Sequence, residues 1–535
     1  MGRCYSEVKR FFARFTFLRW LYGLLYTEEQ SYSQQEYAFI KKNTDIWKGV
    51  QATSSRCVIV RFTTNFPDSF WGAMKRAQAL REKFGYKIIV VLAGSSKKDY
   101  NNYYIINSFS PDKIIFKDRI LCSTSFYIKV FKETISKFIQ IRRMGMMEFL
   151  EYEIENVKIG DLVYDTIIRG DKNIVTLSKI KWTHIKTFYR AVREVYFFKR
   201  LFSEYEAKEF VVPENAYLVG IGIREAIDTG IPVFLINSLY AYSCDREKMY
   251  RISGSLSFFY SKEDLKKLIS HNSNLRDKIE AYMQQRFSGQ VRDFACEYAF
   301  GNKIMLTASE ILKFFGICNL YNNILIAPHC FTDAPHASKN YLFKDYYEWF
   351  IYVLDQTARQ KEINVFVKFH PCQDGYGERD ISEKMLDKYP NVHLIPDSWN
   401  TSAVLSCMDA VLTTQGTIAL EAACLGIPSM VVCDSYYNGF DVVPVAYSFE
   451  EYNRFLWSLP VVHRTASEED MEFAKCVLYF SQHKYRQTRI DFSSIPVLPG
   501  DDFAAKLQEQ YTYILKLMDN RDNIFDQEYL SWLNG

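Results

Sequence analysis

The sequence lacks the marks of several large protein classes. Its 535 residues hold only 23 glycines and 14 prolines, too few for a collagen-like, linker-dominated or low-complexity chain. Neither sign of charge dominates. The 66 Lys and Arg stand against 63 Asp and Glu, and a net charge of +3 leaves no broad basic surface for nucleic acid. The 12 cysteines are scattered without a CxxC pair, several of them in apolar runs, such as Cys424 and Cys433. Buried, reduced thiols are expected, not a disulfide framework or a zinc site. No GxxxxGK[ST] loop occurs, which disfavours P-loop hydrolysis, and no GxGxxG follows the first strand, which disfavours a nicotinamide dinucleotide. Aromatics are plentiful, with 38 Tyr and 41 Phe. They supply core area and suit the flat faces of sugars and bases.

No apolar run reaches the roughly 18 residues of a membrane-spanning helix. Residues 10–26 come nearest, but Arg14 and Arg19 interrupt them, and no small-residue cleavage site of a signal peptide follows. The MGRCYS start is a six-residue match to a myristoylation pattern. Arg3, Lys9, Arg10, Arg14 and Arg19 outnumber Glu7 in residues 1–26. The segment therefore fits a basic, aromatic helix on an anionic membrane face, and equally a helix packed on its own domain. The expected location is cytoplasmic, at the inner membrane face if that contact forms.

Short apolar runs begin at Cys57, Lys87 and Lys113 and alternate with helical stretches at 69–84 and 127–143. A helix at 183–206, strands at 211–218 and 232–236, and a helix between them holding Arg224 and Glu225 complete one α/β unit. A polar, helical connector follows, and the pattern restarts with strands at 323–328, 364–369, 392–395, 410–413 and 429–433. Such alternation means βαβ units and parallel sheets. The expected fold is α/β, two Rossmann-like doubly wound domains facing a cleft. The divisions are a basic, aromatic segment 1–56, a first domain 57–260, a connector 261–322, a second domain 323–490 and a closing segment 491–535 with a helix at 503–518.

Chemistry concentrates in the second domain. Strand 364–369 delivers Lys368 and His370, and strand 410–413 runs through Thr413, Thr414, Gln415 and Gly416 into a helix beginning near Thr417. A strand, a small polar turn and a helix N-terminus offer free N–H groups to a phosphate. With Thr417 as N-cap, Glu421 is free of capping and expected to face the cleft, where a carboxylate can accept hydrogen bonds from a ribose diol. His329, Asp333 and His336 follow the strand at 323–328, with Pro328 and Pro335 stiffening the loop. They read as a site loop for sugar or acceptor. Tyr436 and Tyr437 end the next strand, as covers for base or sugar or as packing. In the first domain, Asp161 and Asp165 are four apart and share a face if helical, with Arg169 near enough to hold a carboxylate or an acidic sugar.

These stretches carry a resemblance. APHCFTDAPH (327–336), YYEWF (346–350), VKFHP (367–371), NTS (400–402), TTQGTIALE (413–421) and YYNGF (436–440) resemble the nucleotide-sugar-binding half of GT-B glycosyltransferases of bacterial capsule and lipopolysaccharide synthesis. VKIGDLVYDT (157–166) resembles a stretch of such enzymes too. The His-Pro plus hydroxyl-turn pairing is similar to transferases of CMP-linked acidic sugars, Kdo and sialic acid. The resemblance implies a nucleotide-sugar donor, a glycan or lipid-linked glycan acceptor, and a phosphate gripped by His370 and the 414–417 turn.

Glycosyl transfer then needs a stabilised leaving phosphate, expected from Lys368, His370, Thr414 and Thr417. It also needs a base or nucleophile, expected from Asp161 or Asp165, with His329 and Asp333 as the next candidates. No DxD pair follows a strand, so metal independence is expected and no cofactor beyond the donor. Three alternatives share the pattern: a teichoic-type polyol-phosphate transferase, a nucleotide-sugar 2-epimerase, and a non-catalytic assembly subunit.

Overall fold

Both faces of each sheet are covered, which explains why the strands read as near-continuous apolar runs. The computed structural model describes residues 32–62, 67–94, 102–117, 124–236, 241–250, 255–291, 296, 299–317, 320–481 and 502–519. Residues 1–26, expected to form the interfacial helix, lie outside the described residues, as do Cys4, Cys122 and Cys318. Among the described residues no helix is long and apolar enough to cross a membrane. The described cysteines are free thiols, all buried except the half-buried Cys372.

The first sheet contains β1 (Cys57–Arg61), β2 (Lys87–Leu92) and β3 (Lys113–Phe116). A small antiparallel pair, β4 (Glu153–Ile154) and β5 (Val157–Lys158), stands apart from it. The chain then adds β6 (Ala207–Val212), β7 (Val233–Ile236) and β8 (Ala241–Cys244), giving the order β3-β2-β1-β6-β7-β8. All pairings are parallel except that of β8 with β7. The strand expected at 211–218 begins earlier, at Ala207, and stops at Val212, where Pro213 cannot donate to the ladder. Side-chain alternation splits β1 between two cores: Val58 and Val60 join one face, Cys57 and Ile59 the other.

The second sheet is wholly parallel, with β9 (Asn322–Ile326), β10 (Ile363–Val367), β11 (Val392–Leu394), β12 (Ala410–Leu412) and β13 (Ser429–Met430) in the order β11-β10-β9-β12-β13. Its central strand divides likewise, Ile324 and Ile326 against Leu325. The chain winds outward from β9 through β10 to β11, then returns to β12 on the other side. The crevice beyond the carboxyl ends of β9 and β12 is therefore the topological switch point, where ligands of such sheets bind.

Three further helices complete the cores, and one of them joins the two halves. Helix Gln34–Trp47 and the closing helix Phe503–Leu517 pack together on the first sheet, with Phe39 and Tyr511 rings 5.5 Å apart. Helix Glu468–Tyr479 lies in a core shared by both sheets, where Phe473 and Val477 join Ile59, Ile89 and Leu420.

Candidate functional site

The carboxyl ends of β10, β9 and β12 lie side by side and present Lys368 to His370, Ala327 to His329, and Thr413 to Gly416. The helix that follows runs Thr417–Cys424. Its N-cap is Gly416 and not the expected Thr417, and no side chain caps it. The first amides of this helix are thus left for a ligand. Gly416 allows close approach: a Cβ there would stand 2.9 Å from Thr413 Oγ1 and 3.5 Å from His329 Nε2.

Three polar atoms around this turn are buried without a partner: His329 Nε2, Thr413 Oγ1 and Thr414 Oγ1. Buried polar groups in native proteins are almost always satisfied, so orphans gathered at one turn mark a ligand's place. Burial and the neighbouring His370 push the His329 pKa down to about 3, so the ring is neutral. It stacks on Tyr346 at 5.1 Å between centroids.

Two chambers, each of about 210 Å³, open on either side of the turn and share His329, Gly416 and Thr417. The first is lined by Phe369, Pro371, Ile418 and Ala299, with Lys368, His370 and Glu421 among its polar groups. His370 is exposed at its mouth. Its Nδ1 accepts the Cys372 N–H at 3.2 Å, leaving Nε2 as the donor of a neutral ring, and the crowding cleft walls lower its pKa. Burial brings the Lys368 pKa down to about 8. Its ammonium donates to the carbonyls of Pro396 and Trp399 at 3.3 and 3.2 Å. The second chamber is polar, lined by Asp333, Ser338, Gln415, Asp434, Ser435 and Tyr436.

Several expectations need correction. Glu421 lines the first chamber as expected, but it is not free of partners: Arg286 takes its Oε1 through Nε at 3.1 Å and Nη2 at 2.7 Å. Tyr437 covers nothing in the cleft; it is buried, and its hydroxyl donates to the Gly416 carbonyl at 3.1 Å, pinning the turn from behind. Asp161 and Asp165 sit on helix Gly160–Gly170, as anticipated, but both are buried and neither lines a chamber. Arg224 takes Asp161 with two bonds of 2.7 and 2.8 Å. Asp165 meets His336 Nδ1 at 2.6 Å, and His336 Nε2 faces the Lys344 carbonyl at 2.7 Å. With an acceptor at each ring nitrogen, His336 has a pKa that Asp165 holds above the ordinary value despite burial, while burial raises the pKa of Asp165 as well. It is thus bound into the domain contact and not available to a sugar. Arg169 stacks over the Tyr376 ring at 3.7 Å, another contact between the halves, and lines neither chamber.

Other residues here escaped sequence reading. Glu378 holds the 329–336 loop by accepting the N–H groups of Phe331 at 2.7 Å and Thr332 at 2.8 Å, and nothing in its local sequence signals this. Arg286 lies in the connector, with no motif to mark it. Asp434 and Ser435 were findable, because they follow an apolar run at the carboxyl end of β13, by the rule that locates the 413–417 turn.

Two open, doubly wound sheets with ligand-facing carboxyl edges and a shared bridging helix decide the architecture. It is that of the GT-B fold. No family model matches the chain, and no curated protein matches its sequence. Solved structures are similar to it at low identity. KpsC of Thermosulfurimonas dismutans, a β-Kdo 2,4-transferase, matches at 12% identity over 51% of this chain and 79% of its own, with a TM-score of 0.31. A UDP-GlcNAc 2-epimerase from Neisseria meningitidis matches at 11% identity over 80% and 100%, with a TM-score of 0.23. A glycosyltransferase from Rickettsia africae matches at 9% identity over 89% and 100%, with a TM-score of 0.26. The fold rests on the chain's own sheets, and these likenesses say nothing of substrate.

Proposed function

We propose that the chain is a glycosyltransferase that moves a sugar from a nucleotide-activated donor to a glycan acceptor. The observation that supports this most is the convergence of His329 Nε2, Thr413 Oγ1 and Thr414 Oγ1, all unpartnered, on an uncapped helix N-terminus at the switch point. That set can donate to a phosphate, and its donors act on the charge that grows on the leaving group. His370 lines the same chamber from the carboxyl end of β10.

With Asp161 and Asp165 committed elsewhere, Asp333 is the carboxylate open to the polar chamber, and it takes the role of base toward the acceptor hydroxyl. A surface-glycan acceptor belongs to the same proposal through the resemblance of the 157–166 and 327–440 stretches, and a place at the cytoplasmic membrane face through the basic, aromatic segment 1–26.

Calorimetric titration with CMP, CDP, UDP and GDP tests the reading. One nucleotide should bind, and His329→Ala should abolish the heat. A preference for CDP would favour the polyol-phosphate reading, and no binding by any nucleotide would leave an assembly subunit. Asp333→Asn should lower kcat with KM little changed, because the base acts in the transition state.

A further inference from the structure

Helix Thr124–Ile141 carries apolar residues on two sides, and only one side is buried. Val130, Phe138 and Ile141 join a core of the first half. Ile128, Phe131, Ile135 and Ile139 recur at three- and four-residue spacing and form a second stripe, turned away from the first. Ile128 is 50% exposed, Phe131 60% and Ile139 43%, with Ile135 half-buried among them. Trp182, 52% exposed on the short helix Trp182–His184, extends this surface. Its ring lies 5.4 Å from that of Phe138, and the Arg142 guanidinium covers it at 4.4 Å. Aliphatic and aromatic side chains gathered in water at one place mark a contact surface.

The surface is also basic. Lys132, Arg142, Arg143, Lys179, Lys181 and Lys186 are exposed on the helix, at its end and in the segment around Trp182. Between Asp171 and Glu194 the sequence holds no acidic residue. The acidic groups nearby do not balance these bases. Glu133 stands on the opposite flank of the helix, paired with Lys137 at 3.5 Å. On that flank Lys129 covers the Tyr196 ring at 4.4 Å, and Glu155 takes Lys199 at 2.6 Å. Glu194 is buried with Arg61, and Glu151 meets Lys158 at 2.6 Å. Asp171 accepts the Asn173 N–H at 3.1 Å, and Glu148 and Glu153 are exposed beyond the helix. The six exposed bases outnumber these last three.

We propose that this face docks the chain on an anionic phospholipid bilayer, with the stripe and the Trp182 ring at the acyl boundary and the bases among the headgroups. The aliphatic side chains decide against nucleic acid, because Ile128 and Ile139 offer no flat face on which a base stacks. Segment 1–26 is itself basic, so like charge opposes it as the cover of this surface. None of these residues lines either chamber, and the inference is independent of the donor reading.

Co-sedimentation of the full chain with phosphatidylcholine vesicles, with and without phosphatidylglycerol, tests it. The chain should partition at least about tenfold more strongly onto the anionic vesicles, and high salt should weaken that binding. Phe131→Ser combined with Ile139→Ser should lower the partition at least about tenfold, and so should Lys132→Glu combined with Lys181→Glu. All four side chains are exposed, so thermal unfolding of both variants should match that of the unmodified chain. Ile304→Ser combined with Phe314→Ser changes a pair that is 52% and 66% exposed outside the first sheet, and should leave vesicle binding unaltered. Undiminished binding in the two helix variants would assign the membrane contact elsewhere, as to segment 1–26, and overturn the proposal. Failure of the unmodified chain to bind anionic vesicles would overturn it too. So would a dimer, seen by light scattering, that Phe131→Ser with Ile139→Ser splits, since a second copy would then cover the stripe.

Discussion

The two aspartates of helix Gly160–Gly170 and Thr413 and Thr414 at the end of β12 are all buried, yet their hydrogen bonding is opposite. Each aspartate is saturated by the protein: Asp161 by Arg224, Asp165 by the ring and backbone N–H of His336. The threonine hydroxyls have no partner at all. A charge taken from water must be compensated within the fold, so a saturated carboxylate is the signature of a structural pair. An unsatisfied hydroxyl costs stability in the empty protein and is retained where a ligand completes it. Chemical type pointed to the aspartates as the reactive groups, whereas hydrogen-bond accounting points to the turn.

Asp161→Asn should break this contrast most sharply. It leaves the Arg224 guanidinium buried without its counter-charge, and unfolding free energy should fall by about 3–5 kcal/mol in urea titrations. Nucleotide affinity of the folded fraction should stay unchanged. Near-native stability with lost turnover would return Asp161 to the catalytic machinery.

His370→Ala should leave stability alone and weaken nucleotide binding by about 1.5–3 kcal/mol, the worth of a hydrogen bond to a charged group. Because the cleft walls lower its pKa, the ring donates as a neutral imidazole, and the loss should be constant from pH 7 upward. A dissociation constant equal to that of the unmodified protein would remove His370 from the cradle.

The Asp165–His336 pair sharpens the comparison through pH. Burial disfavours the protonated His336 ring, but Asp165, Asp161 and the Lys344 carbonyl outweigh it and raise the pKa above the unfolded value. The native state therefore holds a proton that the unfolded chain has released. That contribution is fully present below the ordinary histidine pKa and is lost as pH rises through the raised folded value. His336→Gln should flatten this decline, a difference of about 1–2 kcal/mol between pH 6 and pH 9. A parallel pH profile for the variant would mean that the pair does not carry the proton.

Much of this molecule was legible in its sequence, for reasons that also mark the limit. Val58 to Val60 and Ile324 to Ile326 face cores on both sides, so parallel strands announced themselves as apolar runs and the two-sheet architecture followed. The 413–417 turn was legible as a strand-to-helix turn because Thr413 to Thr417 is local: strand, glycine and helix adjoin in the chain. The fates of Asp161, Glu421 and Tyr437 were not, because each is decided by a partner far away in sequence or behind the turn. Arg224 lies 63 residues from Asp161 and Arg286 lies 135 from Glu421. No periodicity reports on such pairings. β8 was missed for a related reason, since four residues at a sheet edge carry too little pattern to register.

Glu225 offers the smallest effect and a test of the rule in a third place. It is buried on helix Gly220–Asp228, its Oε2 has no partner, and it lines neither chamber. Burial raises its pKa to about 7, with Asp228 and Glu155 adding repulsion that Lys199 only partly offsets. Because the folded pKa lies above the unfolded one, the native state holds the extra proton. Stability is therefore greatest at low pH and erodes as pH rises from the ordinary carboxylate range toward 7. Glu225→Gln removes that titration, and at pH 8 the variant should be more stable than the unmodified chain by about 1 kcal/mol, with the difference vanishing near pH 4.5. Unlike Thr413 and Thr414, this orphan stands away from both chambers, so the same substitution should leave nucleotide binding unaltered. A loss of binding in Glu225→Gln would show that an unsatisfied buried atom alone does not separate a strained structural group from a ligand site.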